Sequence, residues 1–381
     1  MIQIGNDKIK DIYVGSDKIK EVYYGSEKVW GEVESIQDGY WVHKDTGIKT
    51  YFDLNDPSIE DGIMGYPSWM PNCSEVKLPS GVTGFKTYNW VIEEMGNMEM
   101  AYTGFVHTKE TVLTGGNGVL TSVDLSNTSI TSIGQMCFAG CTSLTSITLP
   151  PGVTSLGDNC FQECTSLTSI NIPESVTSLG GRCFSGCTSL SSIDISGSLT
   201  SLGEGCFAGC TSLTSITLPP GVTSLGDNCF QECTSLTSIT LPESVTSLGG
   251  RCFGGCSSLT SINIPESVTS LGEGCFAGCT SLTSINIPES VVSLGEYCFS
   301  GCSSLTSIDI PSGVTNLGEG CFYYCTSLTL ATVLPSIPPS IGMNVFSGVH
   351  ESFNIKVHSP YVDDYKTATN WINYTDKISA I

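Results

Sequence analysis

The chain has 381 residues, of which 40% are hydrophobic and 14% are charged, a composition typical of a folded protein and not of a disordered one. Its 37 acidic residues outnumber 15 basic ones and give a net charge of -22, which repels polyanions and excludes nucleic acid as a partner. No apolar run approaches the roughly 18 residues that span a bilayer, so no membrane insertion is expected and we predict a soluble chain.

Residues 1–31 contain a repeat of period ten, seen in GNDKIKDIYV, GSDKIKEVYY and GSEKVW. Each unit is typical of a turn between two short alternating strands. The segment is too short to bury a core of its own, so it must pack against a neighbour. It resembles the N-terminal motif, roughly (I/V)GxxxIKx(I/V)YxG, of virion and tail-associated proteins of tailed phages.

The phage resemblance implies that residues 1–31 anchor the chain to other virion proteins. The alternative is a plain hairpin that packs on the next domain. The candidate docking residues are Ile12, Tyr13, Val22, Tyr23, Tyr24 and Trp30.

Residues 32–72 alternate aromatic and polar residues and then become acidic and rich in turns, which predicts a small β-rich adaptor. Asp53, Asp56, Glu60 and Asp61 raise the alternatives of a calcium loop or a catalytic pair. Their spacing does not match the twelve-residue calcium loop, and acidic loop residues are usually only solvated. We predict neither metal nor catalysis here.

Residues 73–136 contain worn copies of a longer repeat, in VKLPSGVTGF (76–85) and LTSVDLSNTSITSIG (120–134). The segment between these matches is predicted to be a degenerate coil that caps the N-terminal end of the array.

Residues 137–328 repeat every 23 residues, beginning with CFAGCTSLTSITLPPGVTSLGDN. TSITL indicates one half-buried strand, Pro150 ends its pairing, and Gly157 supplies a turn before the next Cys-Phe pair. The apolar residues of a unit follow the spacings LxxIxL and VxxL, and neither spacing is helical. One unit alone cannot bury enough apolar surface to fold. The pattern therefore predicts a mainly β solenoid in which each copy is one coil. The apolar positions of the first copy are Phe138, Leu144, Ile147, Leu149, Val153 and Leu156.

Two cysteines recur in every coil as CFxxC, which leaves metal site, disulfide and buried structural column as alternatives. No histidine lies between Cys137 and Cys325. The first residues lack the apolar stretch of a secretion signal, so we expect assembly in a reducing cytoplasm with free thiols packed in columns. The columns comprise Cys137, Cys141, Cys160, Cys164, Cys183, Cys187, Cys206, Cys210, Cys229, Cys233, Cys252, Cys256, Cys275, Cys279, Cys298, Cys302, Cys321 and Cys325.

The segment FSGCSSLTSIDIPSGVTNLGEGCF (299–322) resembles the BspA-like leucine-rich repeats of bacterial and protist surface proteins. Cysteine stands where that family usually has alanine, as in Cys183-Phe184, and it keeps a small buried residue there. The resemblance implies a curved leucine-rich-repeat solenoid and a role in adhesion or recognition.

One strand position between two buried residues faces outward in every coil. It either recognises a protein or glycan or stays solvated, and the absence of interleaved Trp or Tyr favours solvation. The ladder comprises Thr148, Asn171, Asp194, Thr217, Thr240, Asn263, Asn286 and Asp309.

Residues 329–381 turn aromatic and helical and resemble the C-terminal cap of such arrays, with FNIKV as the last strand and a short helix from about Val362. Trp371 is predicted to plug the open end of the core, with a ligand-binding role as the alternative. The candidate contact residues near this end are Tyr323, Tyr324, Tyr361 and Tyr365.

The four histidines lie outside the coils, and no Walker loop, HExxH or GxSxG occurs, so we predict neither an enzyme nor a cofactor. The leading hypothesis is a phage virion structural protein, a fibre or appendage, made in the host cytoplasm without a signal peptide. Its rod would bind a host surface protein or glycan, and a homo-oligomer is left open. The alternatives are a bacterial cell-surface adhesin of the same repeat family and an intracellular protein-binding scaffold.

Overall fold

A computed structural model describes residues 120–195 and 197–381, together with the backbone of short strands between residues 13 and 85. From residue 120 onward the chain winds into a mainly β solenoid of about 11 turns with coils of about 23 residues. The predicted fold class is therefore confirmed. Each coil contributes one strand to a first face, one strand to a second face, and a series of turns that contains CFxxC.

The first face is built from the TSITL segments, whose alternate side chains are buried. In one such strand Ile147 is buried between exposed Ser146 and Thr148. Neighbouring strands are parallel and in register, and two isolated bridges join Thr240 to Asn263 and Asn263 to Asn286. The strands are β11 (Ser122–Asp124), β13 (Ser146–Thr148), β15 (Ser169–Ile172), β17 (Ser192–Ile195), β19 (Ser215–Thr217), β21 (Ser238–Thr240), β25 (Ser307–Ile310), β27 (Leu330–Val333), β29 (Asn354–Val357) and β30 (Ile378–Ala380).

The second face is one ten-stranded parallel sheet formed by the TSLG segments. Glycine follows most of these strands because the preceding coil passes too close for a side chain: a Cβ on Gly157 would lie 2.5 Å from the Gln135 backbone nitrogen. The strands are β12 (Ser132–Ile133), β14 (Ser155–Leu156), β16 (Ser178–Leu179), β18 (Ser201–Leu202), β20 (Ser224–Leu225), β22 (Ser247–Leu248), β23 (Ser270–Leu271), β24 (Ser293–Leu294), β26 (Asn316–Leu317) and β28 (Ser340–Ile341).

The cysteine turns, which are the CFxxC segments with their flanking residues, form the third side of the solenoid. Here the earlier coil donates to the later one, as in Phe138 N–H to Cys160 C=O at 2.8 Å. The strand faces contain bonds in both directions: Gly157 N–H donates to the Ile133 C=O of the earlier coil at 2.8 Å, and Leu125 N–H donates to the Thr148 C=O of the later coil at 2.9 Å.

The core contains a continuous column of stacked phenylalanines. Consecutive ring centroids lie 5.2–5.5 Å apart with interplanar angles of 3–8°. Because the rings repeat at the spacing of the coils, each ring covers both neighbours and leaves no gap between coils. The column comprises Phe138, Phe161, Phe184, Phe207, Phe230, Phe253, Phe276, Phe299, Phe322 and Phe346.

All eighteen cysteines between Cys137 and Cys325 are buried free thiols. The second cysteine of a coil donates its S–H to the phenylalanine carbonyl of the preceding coil, as in Cys164 to Phe138 at 3.1 Å. The same bond recurs in eight coils. The thiol therefore adds a second hydrogen bond to a buried carbonyl that already accepts from a backbone N–H, as Phe138 C=O does from Cys141 N–H at 3.1 Å.

Burial raises the pKa of many of these thiols. It raises the pKa of Cys210 and Cys256 to about 12. In Cys187 and Cys233, burial and then the neighbouring cysteines raise the pKa well above its usual value. These four thiols are therefore neutral at physiological pH, with little of the thiolate that metal binding or disulfide exchange needs.

Hairpins and short strands precede the solenoid. β1 pairs with β2 and β3 with β4 in antiparallel hairpins ten residues apart, as the decamer repeat predicts. β9 is parallel to β11, and the antiparallel pair β5–β6 joins β9 and extends the first face. The strands are β1 (Tyr13–Val14), β2 (Asp17–Lys18), β3 (Tyr23–Tyr24), β4 (Glu27–Lys28), β5 (Tyr40–His43), β6 (Lys49–Tyr51), β7 (Ile59–Glu60), β8 (Ile63–Met64), β9 (Cys73–Lys77) and β10 (Gly84–Phe85).

The worn copy at residues 76–85 does not continue the second face. β10 pairs with β8 and is not part of the ten-stranded sheet, although VKLPSGVTGF matches ITLPPGVTSL of the first full coil position for position. The predicted degenerate coil between residues 85 and 120 lies outside the described residues.

The C-terminal segment closes the solenoid with helices and a further strand. The 3₁₀ helix Ser359–Tyr361 leads into α1 (Val362–Thr367), and a second 3₁₀ helix covers Trp371–Lys377. The prediction that FNIKV is the last strand is wrong, because β30 follows it and pairs parallel to it. The helices bring the chain back along the core, which places Ile378 opposite Ile355.

We expect Phe253→Ala to lower the free energy of unfolding by about 3–5 kcal/mol, because it removes a ring stacked between Phe230 and Phe276. Urea denaturation followed by circular dichroism measures the change. Thr246→Ala, an exposed substitution one coil earlier, is the matched control and should cost below about 1 kcal/mol. Equal stability of both variants would contradict the stacked core.

We expect the solenoid to lose stability above about pH 8.5, where unfolded thiols ionise. A thiol whose pKa is raised on folding stabilises the fold below its unfolded pKa, and each one costs about 1.4 kcal/mol per pH unit above it. Urea denaturation between pH 7.5 and 10.5 measures the slope.

The variant Cys206→Ala/Cys229→Ala/Cys252→Ala should reduce that slope by about 4 kcal/mol per pH unit. Exposed serines of the same coils supply the control, Ser215→Ala/Ser238→Ala/Ser261→Ala, whose slope should equal that of the parent chain. Constant stability of the parent chain up to pH 10.5 is the contradicting result.

Candidate functional site

The eight predicted ladder residues lie in one line along the first face. All eight are exposed, because strand alternation turns the side chains between two buried residues outward. Cross-strand pairing sets them side by side: Asn171 opposite Asp194, and Thr217 opposite Thr240. Their functional role stays a prediction.

The ladder is longer than the sequence predicted. Asp124 precedes Thr148 in register, and Thr332, Lys356 and Ser379 continue the same register beyond Asp309. The spacing is 24 residues instead of 23 from Asp124 to Thr148 and from Thr332 to Lys356, so a strict period misses Asp124, Lys356 and Ser379. The alternation of polar and apolar residues in FNIKV and KISAI is the signal that identifies them.

The chemistry of the ladder is that of hydrogen bonding. It presents hydroxyl groups, carboxamides and carboxylates, with Lys356 as a cation near one end. The Lys356 ammonium donates to the Ala380 carbonyl at 2.9 Å. These groups suit recognition of a polar partner, and the ladder contains no histidine or cysteine to act as base or nucleophile.

The four predicted contact tyrosines do not share one environment. Tyr324 is 55% exposed, while Tyr323 and Tyr361 are half-buried. The prediction that Tyr365 contributes to a recognition surface is wrong, because its ring is fully buried and its hydroxyl donates to the Pro335 carbonyl at 2.8 Å. The helix α1 turns this side chain toward the end of the core.

Trp371 lies fully buried at the end of the phenylalanine column. Its indole N–H donates to the Pro339 carbonyl at 2.7 Å, and its ring meets Tyr365 edge-on at 4.9 Å. This position fits the predicted plug and leaves no face for a ligand.

A second surface feature on the cysteine turns was not identified from sequence. Arg182 pairs with Glu204 at 2.9 Å, and 69 residues later Arg251 pairs with Glu273 at 3.7 Å. Each side chain lies over a glycine of the next coil, as Arg182 does over Gly205. These exposed pairs contribute little stability, and their separation of 69 residues equals three coils of 23.

The candidate N-terminal residues are described in part. Tyr13, Tyr23 and Tyr24 lie on hairpin strands, of which only the backbone is described. Ile12, Val22 and Trp30 lie outside the described residues.

The possible metal and catalytic residues add no site within the described part of the chain. Asp53, Asp56 and Asp61 lie outside it, and only the backbone of Glu60 is described, in β7. From residue 120 onward, Ser196 apart, no group of three His, Cys, Asp or Glu is arranged to hold a metal ion.

His350 is exposed, and its Nδ1 accepts from the Ser352 N–H at 3.1 Å. No helix among the described residues is long and apolar enough to cross a membrane.

Three solved structures resemble the chain. A leucine-rich repeat protein from Bacteroides ovatus is 24% identical, with a TM-score of 0.44 over 87% of this chain and 98% of that one. The Treponema pallidum leucine rich repeat protein TpLRR is 33% identical, with a TM-score of 0.40 over 42% of this chain and 77% of that one. A leucine rich cell surface protein from Faecalibacterium prausnitzii is 23% identical, with a TM-score of 0.32 over 77% of this chain and 97% of that one.

A search of curated proteins gave no match. The family described as BspA type Leucine rich repeat region (6 copies) matches residues 116–237 and 223–356. The two matches together cover more than half of the chain and coincide with the solenoid. The chain is therefore a member of the BspA-type leucine-rich repeat family.

Proposed function

We propose that the chain is a non-enzymatic adhesion protein, whose solenoid holds a polar recognition face toward a protein or glycan on another surface. One observation supports this function above the others: the ladder residues are exposed and in register along a sheet whose opposite side packs into a continuous core. Side chains fixed at the coil spacing make an extended, preorganised surface, so little conformational entropy is lost on binding.

The rest of the described chain is consistent with binding and not with catalysis. Buried cysteines such as Cys210 are neutral and hydrogen-bonded, and the exposed arginines are paired with carboxylates. Because each coil depends on its neighbours, the array acts as a stiff spacer between an attachment point and a target. We propose display on a bacterial cell surface, where many copies would strengthen weak individual contacts.

Attachment to a phage virion is a second candidate. The β1–β2 and β3–β4 hairpins favour it, since they repeat the same register ten residues apart, Tyr13 opposite Lys18 and Tyr23 opposite Lys28. Under this proposal residues 1–31 dock on other virion proteins and the solenoid performs the same recognition of a host surface.

The ladder is tested with the full-length variant Thr240→Lys/Asn263→Lys on glycan arrays and immobilised extracellular-matrix proteins. We expect at least about 10-fold weaker binding, since two exposed hydrogen-bonding groups are replaced by bulky cations. Thr246→Lys/Thr269→Lys changes exposed residues on the second face of the same two coils and should stay within about twofold of the parent chain. Equal loss in both variants, or no binding of the parent chain to any surface, contradicts the proposal.

Deletion of residues 1–31 distinguishes attachment to a phage virion from display on a bacterial cell surface. If the chain is a virion component, the deleted chain should keep the circular dichroism spectrum of the solenoid and disappear from purified particles, as measured by mass spectrometry. Particles that retain the deleted chain, or bacterial cells that display the intact chain without any phage, count against the virion setting.

A further inference from the structure

Three tyrosines and a methionine form an exposed patch on the cysteine turns near the C-terminal end. We call it the tyrosine patch and define it as Tyr297, Tyr323, Tyr324 and Met343. Tyr297, Tyr324 and Met343 are 38%, 55% and 65% exposed. The rings of Tyr323 and Tyr324 meet edge-on at 4.5 Å, and the Gly320 N–H bonds the Met343 carbonyl at 2.9 Å.

Two of the rings rest on glycines of the following coil. A Cβ on Gly320 would lie 2.5 Å from Cε1 of Tyr297, and one on Gly348 would lie 3.2 Å from Cδ2 of Tyr324. One side of each ring therefore covers backbone while much of the ring stays in solvent. Such fixed aromatic faces are platforms on which a flat group can stack.

The fold does not require tyrosine at these positions. Tyr297 and Tyr324 have φ values of 53° and 56°, in the left-handed region that bulky residues rarely adopt. The same position as Tyr297 is glycine at Gly205 and Gly274 and a polar residue in other coils, as at Asn228 and Arg251, and that of Tyr324 is glycine at Gly301. Aromatic residues with a strained backbone on a surface, where the repeat accepts glycine and polar residues, indicate a role outside folding.

The charges beside the patch are negative. Glu296 precedes Tyr297, and the Tyr297 hydroxyl donates to Glu319 Oε1 at 3.2 Å. That hydrogen bond and the Glu319 charge raise the pKa of Tyr297, so the ring stays neutral. Within residues 120–381, Ser196 aside, neither glutamate forms a salt bridge with Lys or Arg. Aromatic faces beside carboxylates complement a planar cation, and arginine both stacks on rings and pairs with carboxylates.

We propose that the tyrosine patch binds an arginine-rich segment of a partner protein, with guanidinium groups stacked on Tyr297 and Tyr324 and paired with Glu296 and Glu319. The site is separate from the ladder, which lies on the first face of the solenoid. It therefore goes beyond the proposed function by adding a second surface with its own class of partner.

The test uses the full-length chain and a fluorescein-labelled twelve-residue peptide with four arginines, at 150 mM salt, followed by fluorescence anisotropy. The variant Tyr297→Gly/Tyr324→Gly keeps the net charge at neutral pH, so nonspecific attraction to the acidic chain is unchanged. We expect at least about 10-fold weaker binding from the loss of two aromatic faces. Its melting temperature should stay within a few degrees of the parent chain, because glycine occupies these positions in other coils.

The matched control is Asp158→Asn/Asp227→Asn, which removes two negative charges from the position that Glu296 occupies in its own coil. Asparagine keeps the oxygen that accepts from Gly181 N–H at 2.7 Å, so the backbone contact survives. Its peptide binding should stay within about threefold of the parent chain.

Four results overturn the inference: no binding by the parent chain, binding by the tyrosine variant within twofold of it, an equal loss in the aspartate control, or tyrosine-dependent binding of a neutral glycan in place of the peptide. The ladder variant Thr240→Lys/Asn263→Lys separates this inference from the proposed function. If the ladder variant loses adhesion while the tyrosine variant keeps its affinity for the peptide, the proposed function stands and only the proposed role of the tyrosine patch fails.

Discussion

The whole structure depends on the in-register stacking of coils that cannot fold singly. Hydrogen bonds on three sides and the phenylalanine column fix the same spacing, so each buried residue packs against its own equivalent in the next coil. Glycine at the end of the second-face strands permits that spacing, since a Cβ on Gly157 would collide with the preceding backbone. A substitution in one buried column therefore affects the packing of both adjacent coils. The two ends of the stack have to be covered by dedicated caps.

The same constraint explains the cysteines. A buried position repeated in every coil has to hold a small side chain, and a thiol fills it while adding a hydrogen bond to a carbonyl that also accepts from a backbone N–H, as Cys164 does to Phe138. Burial keeps thiols such as Cys210 and Cys256 protonated at neutral pH, because it raises their pKa to about 12. The reactivity that the sequence spacing CFxxC suggests is removed by desolvation.

Because the core fixes the inside of every coil, functional variation is confined to outward positions. On the first face these are short polar residues in register, which form an extended hydrogen-bonding surface. On the cysteine turns the outward positions hold glycine in some coils and larger residues in others, as in Arg182 over Gly205 and Tyr297 over Gly320. The rigid array thus presents two chemically different surfaces without any change in the repeat that supports them.

The sequence alone determined the coil, its first-face strand, the buried columns and the exposed ladder, because a strict 23-residue period places equivalent residues in equivalent environments. The second strand of each coil was found only in the structure. It also located Trp371 at the end of the core. Only the tertiary structure decided which tyrosines are exposed, since α1 turns Tyr365 inward while the left-handed backbone at Tyr324 turns that ring outward. It also joined Tyr297 to the patch, because contacts between coils depend on glycines in the adjacent coil, and it set the register that joins Lys356 to the ladder, which the strict 23-residue period misses.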